Sequence, residues 1–475
     1  MTELHYLSAT EALAAFKDRT LSPVELMEAV LARADKVEGV VNSLCHRFDE
    51  QALEQAREAE ARYLGRGEPP RPLEGIPLAV KEEEAVAGQP WTQGSLIYKD
   101  AVAPHSSPFA ERMLASGAIV HARTTAPEFS CAGFTHSRLW GVTRNPWNPD
   151  VAVGGSSGGS GAALAAGTTT LASGSDIGGS IRIPASYNGV VGFKPPYGRV
   201  AQDPPFNYDT YCHVGPMART VADCAAYQNA VSGPHPRDHV SVRPQVVLPE
   251  TFGPIDGLRV ALSLDLGDWP SDPEIAANTL RTAEALRSAG AVVEEVGIEL
   301  SRAMVHRAAA IHFSLIFAAA VEAEIAEHGD VMTDYARFFP ESMRAQSEGG
   351  TMLEEFSLEA QIYEPIGKVL EQFDVLVCPT VTSRGLTAGD SYVGRGPVVG
   401  GIQVENYFDS MMTVPFNVLS RCPVLAVPSG HADNGVPTGI QIVGRTYDDE
   451  TVFRVGAALE KVQPWFDVPA RRPAL

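Results

Sequence analysis

The stretch from Val153 to Pro184 constrains the fold more than any other part of the sequence. It reads VGGSSGGSGAALAAGTTTLASGSDIGGSIRIP and holds two glycine-flanked serine clusters, GGSSGG and DIGGS, joined by an apolar segment. Glycine permits backbone turns with positive φ and a close approach of the backbone to a ligand. Two such loops on either side of one buried segment predict that both serine clusters converge on a single pocket.

The composition narrows the classes of function. Of the 475 residues, 44% are hydrophobic and 20% are charged, which is ordinary for a globular protein. The formal net charge of −21 argues against a broad phosphate-binding surface, so we expect no nucleic-acid partner. The six cysteines form no CxxC pair, and no metal-binding or nucleotide-binding motif occurs. These features predict a reducing compartment and an activity without metal or cofactor.

No export or membrane segment is expected. The N-terminus, MTELHYLSATEALAAF, has no basic region followed by a long apolar run, so it does not match a signal peptide. The most apolar later stretch, Ala308 to Glu327, contains His312 and ends in acidic residues, which indicates a buried helix. The sequence therefore predicts a cytoplasmic protein that does not bind a membrane.

Helical patterns and short apolar runs alternate along the chain. Residues 1–64 predict an N-terminal helical part, with capping boxes that begin at Ser8 and Ser22. Residues 65–475 predict an α/β core, in which strand-like runs such as IPLAVK, AIVHAR and FDVLVCP alternate with helices. A helical insertion is expected at about 301–361. This order predicts one α/β domain with a largely parallel sheet.

Two chemistries would use a serine of this region as nucleophile. In the first, Ser156 or Ser157 lies in a GxSxG nucleophile elbow and His431 is the base. That elbow needs a strand directly before the serine, whereas NPWNP places a loop close upstream. In the second, a neutral lysine accepts the serine proton. Lys81 is the candidate, because a charged residue at the end of the apolar run IPLAVK is costly unless it has a role.

Four longer segments resemble the amidase signature family and together span most of the chain. They are GGSSGGSGAALAAG, SDIGGSIRIPASYNGVVGFKPPYGRV, GPMARTVAD and PTGIQIVGRTYDDETVFRVGAALE, and IPLAVKE resembles the lysine strand of that family. The resemblance implies a mixed, largely parallel central sheet covered by helices. It also implies amide hydrolysis by a Ser–cis-Ser–Lys triad.

The resemblance assigns roles residue by residue. Ser180 of DIGGS matches the nucleophile, Ser156 the bridging serine and Lys81 the base. A cis peptide is implied between Gly155 and Ser156. The backbone N–H groups of the DIGGS loop are expected to face the developing oxyanion, and they belong to Ile177, Gly178, Gly179 and Ser180.

Other positions are assigned through the same resemblance. Ser130 and Cys131, in TTAPEFSCAGF, match a segment that lines the substrate site of the family. Asp176 and Arg182 are expected to brace the nucleophile loop rather than to take part in the chemistry.

The residues after Lys81 depart from the family pattern. The family commonly has Asp and then Asn here, whereas this chain has Glu82, Glu83 and Glu84. Because side chains alternate along a strand, Glu83 could share a face with Lys81, where a carboxylate would favour the protonated lysine. We expect Glu83 to point away from Lys81.

The sequence thus predicts a hydrolase that cleaves a C–N bond of a small neutral amide, anilide or carbamate. The expected partner is the small-molecule substrate, and the resemblance is compatible with a homodimer. Two alternatives stay open: the A-type subunit of a tRNA-dependent amidotransferase and an esterase of α/β-hydrolase type.

Overall fold

The computed structural model describes residues 3–475, which form a mixed central sheet covered by helices. Eleven strands build the central sheet, and two short hairpins, β4–β5 and β12–β13, lie outside it. The strands are β1 (Leu44–Arg47), β2 (Pro77–Lys81), β3 (Ile119–Thr124), β4 (His136–Ser137), β5 (Gly141–Val142), β6 (Leu171–Asp176), β7 (Val191–Lys194), β8 (His213–Ala218), β9 (Arg259–Leu262), β10 (Val292–Glu295), β11 (Val375–Pro379), β12 (Val398–Val399), β13 (Ile402–Gln403), β14 (Val424–His431) and β15 (Pro437–Gly444).

The order of the central sheet is β1-β3-β2-β6-β8-β7-β14-β15-β11-β9-β10. Parallel pairs occur in two groups, β3-β2-β6 and β11-β9-β10. The strands between these groups, and β1 at one edge, pair antiparallel with their neighbours. This mixed sheet with its helical cover confirms the predicted fold class.

Fourteen α-helices cover the sheet in the described residues. They are α1 (Ala9–Lys17), α2 (Pro23–Val41), α3 (Asp49–Tyr63), α4 (Pro108–Ala115), α5 (Gly158–Ala166), α6 (Arg182–Asn188), α7 (Val221–Val231), α8 (Pro273–Ser288), α9 (Arg302–Leu315), α10 (Phe317–His328), α11 (Asp334–Gln346), α12 (Met352–Gln372), α13 (Pro415–Val418) and α14 (Asp449–Val462).

Local sequence signals account for many of these boundaries. Ser8 and Ser22 both form the predicted capping boxes, and Pro23 occupies the first turn of α2. The apolar runs IPLAVK, AIVHAR and FDVLVCP form β2, β3 and β11, as predicted. The N-terminal helical part predicted for residues 1–64 also contains a strand at Leu44–Arg47. These residues form β1, because they pair with the exposed edge of β3.

The core lies on both faces of the sheet. Along β11, Val375 and Val377 pack into one apolar cluster, whereas Leu376 and Cys378 pack into the other. Helices α9 to α12 occupy the region of the predicted insertion and contribute to the second cluster. In residues 3–475 no single helix has the length and apolar character to cross a membrane. Only the bent pair α9 and α10 meets those criteria together, by length and composition alone.

The serine-rich stretch occupies the middle of the molecule. Every residue of α5 is buried, and its glycines and alanines allow close packing against β2, β6 and α6. The chain then runs through β6 into the DIGGS loop. Because β2 and β6 are parallel neighbours, their carboxyl ends meet at the same edge of the sheet. Lys81 and the second serine cluster therefore lie side by side.

Candidate active site

Lys81 ends β2 and lies at the centre of a hydrogen-bonded group of serines. Its side chain is 1% exposed. The Nζ atom donates to Ser156 Oγ at 2.7 Å and to Ser175 Oγ at 2.8 Å. Its backbone N–H donates to Ser173 Oγ at 2.9 Å. The predicted base and the predicted bridging serine are thus in direct contact.

The first serine cluster forms the loop that leads into α5. The peptide bond between Gly155 and Ser156 is cis, as the resemblance implies. Glycine is required before Ser156, because a Cβ at Gly155 would lie 2.6 Å from the carbonyl oxygen of Ala132 and 2.5 Å from that of Phe134. This close packing holds the Ser156 loop against the segment that contains Cys131.

The second cluster connects β6 to α6 and carries Ser180. The Ser180 side chain is buried, and the residue is 7% exposed. The N–H of Ser157 donates to the carbonyl oxygen of Ser180 at 3.1 Å. This bond joins the two loops and confirms that the serine clusters converge. Among the described residues, no side-chain hydrogen bond is made by the Ser180 hydroxyl.

The nucleophile loop is braced by a buried ion pair. Arg182 donates to both carboxylate oxygens of Asp176, each at 2.9 Å, and also to the carbonyl of Thr413 and the side chains of Asn417 and Gln441. Burial alone would raise the pKa of Asp176, but the guanidinium beside it holds that pKa below its usual range. The structure therefore supports the bracing role expected for this pair.

One predicted oxyanion donor is already occupied. The N–H of Gly179 donates to Asp176 Oδ1 at 2.8 Å, so it does not face the position of an oxyanion. The prediction for Gly179 is wrong, because the bracing carboxylate captures this amide. The N–H groups of Ile177, Gly178 and Ser180 have no hydrogen-bond acceptor among the described residues, and they are the remaining candidates.

Glu83 contacts Lys81, which corrects the expectation that it points away. Its Oε1 lies 2.9 Å from Lys81 Nζ, and Ser130 Oγ donates to its Oε2. The chain turns after β2 with a bond from Glu84 N to Lys81 O, and this turn leaves the Glu83 carboxylate on the Lys81 side of the site. Burial alone would raise the pKa of Glu83, but the Lys81 ammonium and the hydrogen bonds of two serines lower it.

The two neighbouring carboxylates have other partners. Glu82 accepts from the indole N–H of Trp140 at 2.7 Å and from the N–H of Ala126 at 3.1 Å. Glu84 accepts from the Ser107 hydroxyl, and burial raises the pKa of Glu84 to about 7. Of the three glutamates, Glu83 alone forms an ion pair with Lys81.

The two predicted substrate-site residues, Ser130 and Cys131, have different surroundings in the structure. Ser130 holds the Glu83 carboxylate at the edge of the site. Cys131 is buried, its Sγ lies 3.2 Å from the carbonyl oxygen of Glu128, and burial raises the pKa of its thiol. Cys131 also lines a large cavity, so the prediction that this segment borders the substrate is compatible with its location.

The cavity that Cys131 lines has aromatic walls. It encloses about 710 Å³ of empty space including its open mouth. Its lining combines residues from α9, α11 and the segment around residues 391–414, among them Phe313, Tyr335, Phe338, Phe339, Tyr392 and Tyr407. A Cβ placed on Gly178 would lie 3.8 Å from Phe313 Cζ. The cavity therefore adjoins the loop that carries Ser180.

Comparisons with known proteins agree with this site. The family model for amidases matches residues 25–453. The chain belongs to the amidase signature family. It is 33% identical to an acylamidase of Rhodococcus erythropolis, over all of this chain and 99% of that protein. It is also 33% identical to the A-type subunit of glutamyl-tRNA(Gln) amidotransferase from Chloroflexus aggregans, with 100% and 99% coverage.

Solved structures support the same family. A bacterial aryl acylamidase of the amidase signature family superposes on this amidase with a TM-score of 0.89 and 29% identity, covering 99% of this chain and 100% of the other. A 6-aminohexanoate cyclic dimer hydrolase superposes with a TM-score of 0.81 and 28% identity, with 99% coverage of both chains. The protein is thus an amide hydrolase of this family.

The alternative base, His431, is not part of this hydrogen-bonded arrangement in the amidase. His431 lies at the end of β14, and its ring packs against Trp147 with the centroids 4.7 Å apart. In residues 3–475, no histidine side chain forms a hydrogen bond with Ser156 or Ser180. The lysine, rather than a histidine, meets the serines.

Several residues of the amidase site were not found by sequence reasoning. Ser175 contacts Lys81, and Thr413 Oγ1 donates to the carbonyl of Gly178 at 2.7 Å. The spacing of Ser173 and Ser175 would have placed both on the Lys81 side, if residues 171–176 had been identified as a strand. No local signal connects Thr413 with a loop more than 200 positions earlier in the chain.

Proposed function

We propose that this amidase cleaves small neutral amides, anilides or carbamates through an acyl-enzyme on Ser180. The observation that carries the proposal is the 2.7 Å hydrogen bond between Lys81 Nζ and Ser156 Oγ, next to the loop that holds Ser180. In this mechanism Ser180 attacks the carbonyl carbon, and its proton passes through Ser156 to neutral Lys81.

The same relay runs backwards to complete the cleavage. Lys81 returns the proton through Ser156 to the nitrogen of the leaving amine, which departs as the C–N bond breaks. Water then hydrolyses the ester on Ser180, with the relay again accepting and returning a proton. The N–H groups of Ile177, Gly178 and Ser180 are the proposed oxyanion donors, each contributing a factor of about 10²–10³ in rate.

The aromatic cavity supports an apolar group on one side of the scissile bond. Its walls offer stacking and apolar contact beside Gly178, and an uncharged acyl or aryl group would fill it with little desolvation cost. The similarity to an aryl acylamidase and to an acylamidase points in the same direction.

A fluorophosphonate label tests the nucleophile. We expect the label on the peptide that contains Ser180, and we expect Ser180→Ala to abolish labelling. Ser157→Ala is the matched control, because Ser157 lies beside Ser156 in the second GxSxG match but has no role in the relay. Labelling of Ser156 or Ser157 in the wild-type protein would favour the nucleophile elbow instead.

A substrate panel tests the class of amide. Aryl amides, carbamates and primary amides should be assayed with purified wild-type protein, with Ser180→Ala as the blank. We expect hydrolysis of uncharged apolar amides. Hydrolysis only of simple esters would contradict the proposal.

The amidotransferase relatives support a second candidate. At 33% identity over the whole chain, they leave open a role as the A-type component of a glutamyl-tRNA(Gln) amidotransferase. The net charge of −21 weighs against direct contact with tRNA. Glutaminase activity that appears only with partner proteins, and no aryl amide hydrolysis by the chain alone, would favour this candidate.

A further inference from the structure

Glu83 places a carboxylate against the lysine that the mechanism needs as a neutral base. The distance from Glu83 Oε1 to Lys81 Nζ is 2.9 Å, and the Glu83 side chain is 18% exposed. The Ser130 hydroxyl donates to the other carboxylate oxygen and so fixes its direction. The Glu83 carboxylate is therefore held by Lys81 through one oxygen and by Ser130 through the other.

The hydrogen-bond partners of Lys81 Nζ suit either protonation state of the lysine. Three oxygen atoms lie within hydrogen-bond distance, on Ser156, Ser175 and Glu83, at 2.7, 2.8 and 2.9 Å. An ammonium donates to all three oxygens, whereas a neutral amine donates to two of them and accepts a hydrogen bond from a serine hydroxyl. Of the three oxygens only that of Glu83 carries a negative charge, and this charge is what favours the ammonium over the amine.

Other charged groups nearby do not cancel this effect. Arg123, from β3, donates to the backbone carbonyls of Lys81, Glu82 and Glu84 rather than to the Glu83 carboxylate. Two further titratable groups interact with the pair. Besides burial, the Glu83 charge is one of the causes that raise the Glu84 pKa to about 7, and Cys212 is the second group. Burial first, and then the charges of Asp209 and Glu83, raise the pKa of its thiol, so it stays neutral.

We propose that Glu83 is a positioning residue that holds Lys81 as the ammonium and thereby sets the lowest pH at which the relay can accept the proton of Ser180. This inference rests on the proposed function. An opposite charge within about 4–6 Å favours the charged form by about one to three pH units. We therefore infer that the Glu83 carboxylate moves the acid limb of the pH profile of kcat/KM to higher pH.

The test compares the pH dependence of wild-type protein and Glu83→Gln. Two readouts are used: kcat/KM on a chromogenic anilide and the rate at which a fluorophosphonate labels Ser180. Glutamine keeps an acceptor for Lys81 but removes the charge, so the acid limb should move down by about one to three pH units. On that limb the labelling rate should rise about 10-fold to 1000-fold.

Matched variants separate the charge from the shape of the site. Glu83→Asp keeps the charge and should keep the limb nearer to its wild-type position. Glu82→Gln removes an adjacent buried carboxylate that contacts Trp140 and Ala126 instead of Lys81, and its limb should stay in place. If Glu83→Gln does not fold, Glu83→Ala provides the same neutral comparison.

An acid limb that stays in place or moves to higher pH in the neutral variants would overturn the role of Glu83. That result is distinguishable from failure of the proposed function, because wild-type protein would still be labelled at Ser180. Labelling elsewhere would instead contradict the nucleophile assignment itself.

Discussion

Lys81 and Glu83 are opposite charges in a site that solvent barely reaches. Removing one partner of such a pair leaves the other without compensation, which costs about 3–5 kcal/mol in proteins. Glu83 retains some contact with solvent, so the smaller value applies. The ion pair therefore affects the free energy of unfolding as well as the proposed proton relay.

The first prediction concerns Lys81→Ala. We expect the rate of amide hydrolysis to fall by about 10²–10⁴, because the base is lost. We expect the free energy of unfolding to fall by about 3 kcal/mol, because Glu83 is left unpaired. Urea denaturation measures the second effect, and the double variant Lys81→Ala/Glu83→Gln should recover most of it. Equal stability of wild type and Lys81→Ala would contradict this account.

The second prediction compares two adjacent glycines. Gly179 has a φ of +123°, and a Cβ there would lie 2.1 Å from Thr413 Oγ1. We expect Gly179→Ala to lower the melting temperature and to abolish labelling of Ser180, with a strain of about 1–3 kcal/mol from the backbone alone. Gly178→Ala is the control, because its nearest contact is 3.8 Å away. Similar melting temperatures for both variants would refute the steric argument.

At the scale of elements, the partly exposed His312 joins α9 to two other segments. His312 Nε2 lies 2.7 Å from Asp209 Oδ1, and its Nδ1 lies 3.1 Å from Glu355 Oε1 on α12. The ring stacks on Tyr211 with centroids 3.7 Å apart. Tyr211 also accepts from Asn417, which contacts Asp176. This group therefore connects the helical cover with the brace of the nucleophile loop.

The third prediction follows from the charge of His312. Burial opposes that charge, but the hydrogen bonds and charges of Asp209 and Glu355 raise the His312 pKa to about 9. Because this folded-state pKa exceeds the usual 6.5, the stabilisation is complete below about pH 6.5 and is lost as the pH rises through 9. The shift corresponds to about 3 kcal/mol.

His312→Gln provides the measurement. In urea denaturation, the stability difference between wild type and this variant should be larger at about pH 6 than at about pH 10. A difference that does not depend on pH would show that the histidine acts only through packing.

At the scale of the whole molecule, helices α9 and α11 and the segment around residues 391–414 line an aromatic cavity beside the loop that carries Ser180. The cavity takes residues from segments that are up to about 280 positions apart, from Cys131 to Val414. Neither the sheet nor the helical cover forms it alone. Substrate selection should therefore depend on the helical cover, while bond cleavage depends on the sheet edge.

The fourth prediction compares two phenylalanines of this cover. Phe338 and Phe317 are both partly exposed, but only Phe338 lines the cavity. We expect Phe338→Ala to raise KM for an anilide about tenfold, because apolar contact with the substrate is lost. Phe317→Ala should leave KM near the wild-type value. Steady-state kinetics with both variants measure the difference, and equal effects would argue against this cavity as the substrate site.

Local sequence patterns are sufficient for much of the fold. The apolar runs of β2, β3 and β11 and the capping boxes of α1 and α2 are recognised because neighbours along the chain define them. Two residues of the predicted triad, Ser156 and Ser180, are recognised for a related reason, because both lie in a long and specific sequence motif. The contact of Lys81 with Ser156 and the meeting of the two serine loops agree with those expectations.

Other features depend on contacts between distant segments. β1 is a strand only because the edge of β3 is available, and Gly179 loses its amide to a carboxylate that Arg182 holds in place. Strand alternation allowed Glu83 to face Lys81 without deciding it, because the chain turns directly after β2, and contacts with Lys81 and Ser130 hold the carboxylate in place. Periodicity describes the direction of a side chain only while the element continues. Beyond its end, long-range packing sets that direction, and this determines the environment of the proposed base.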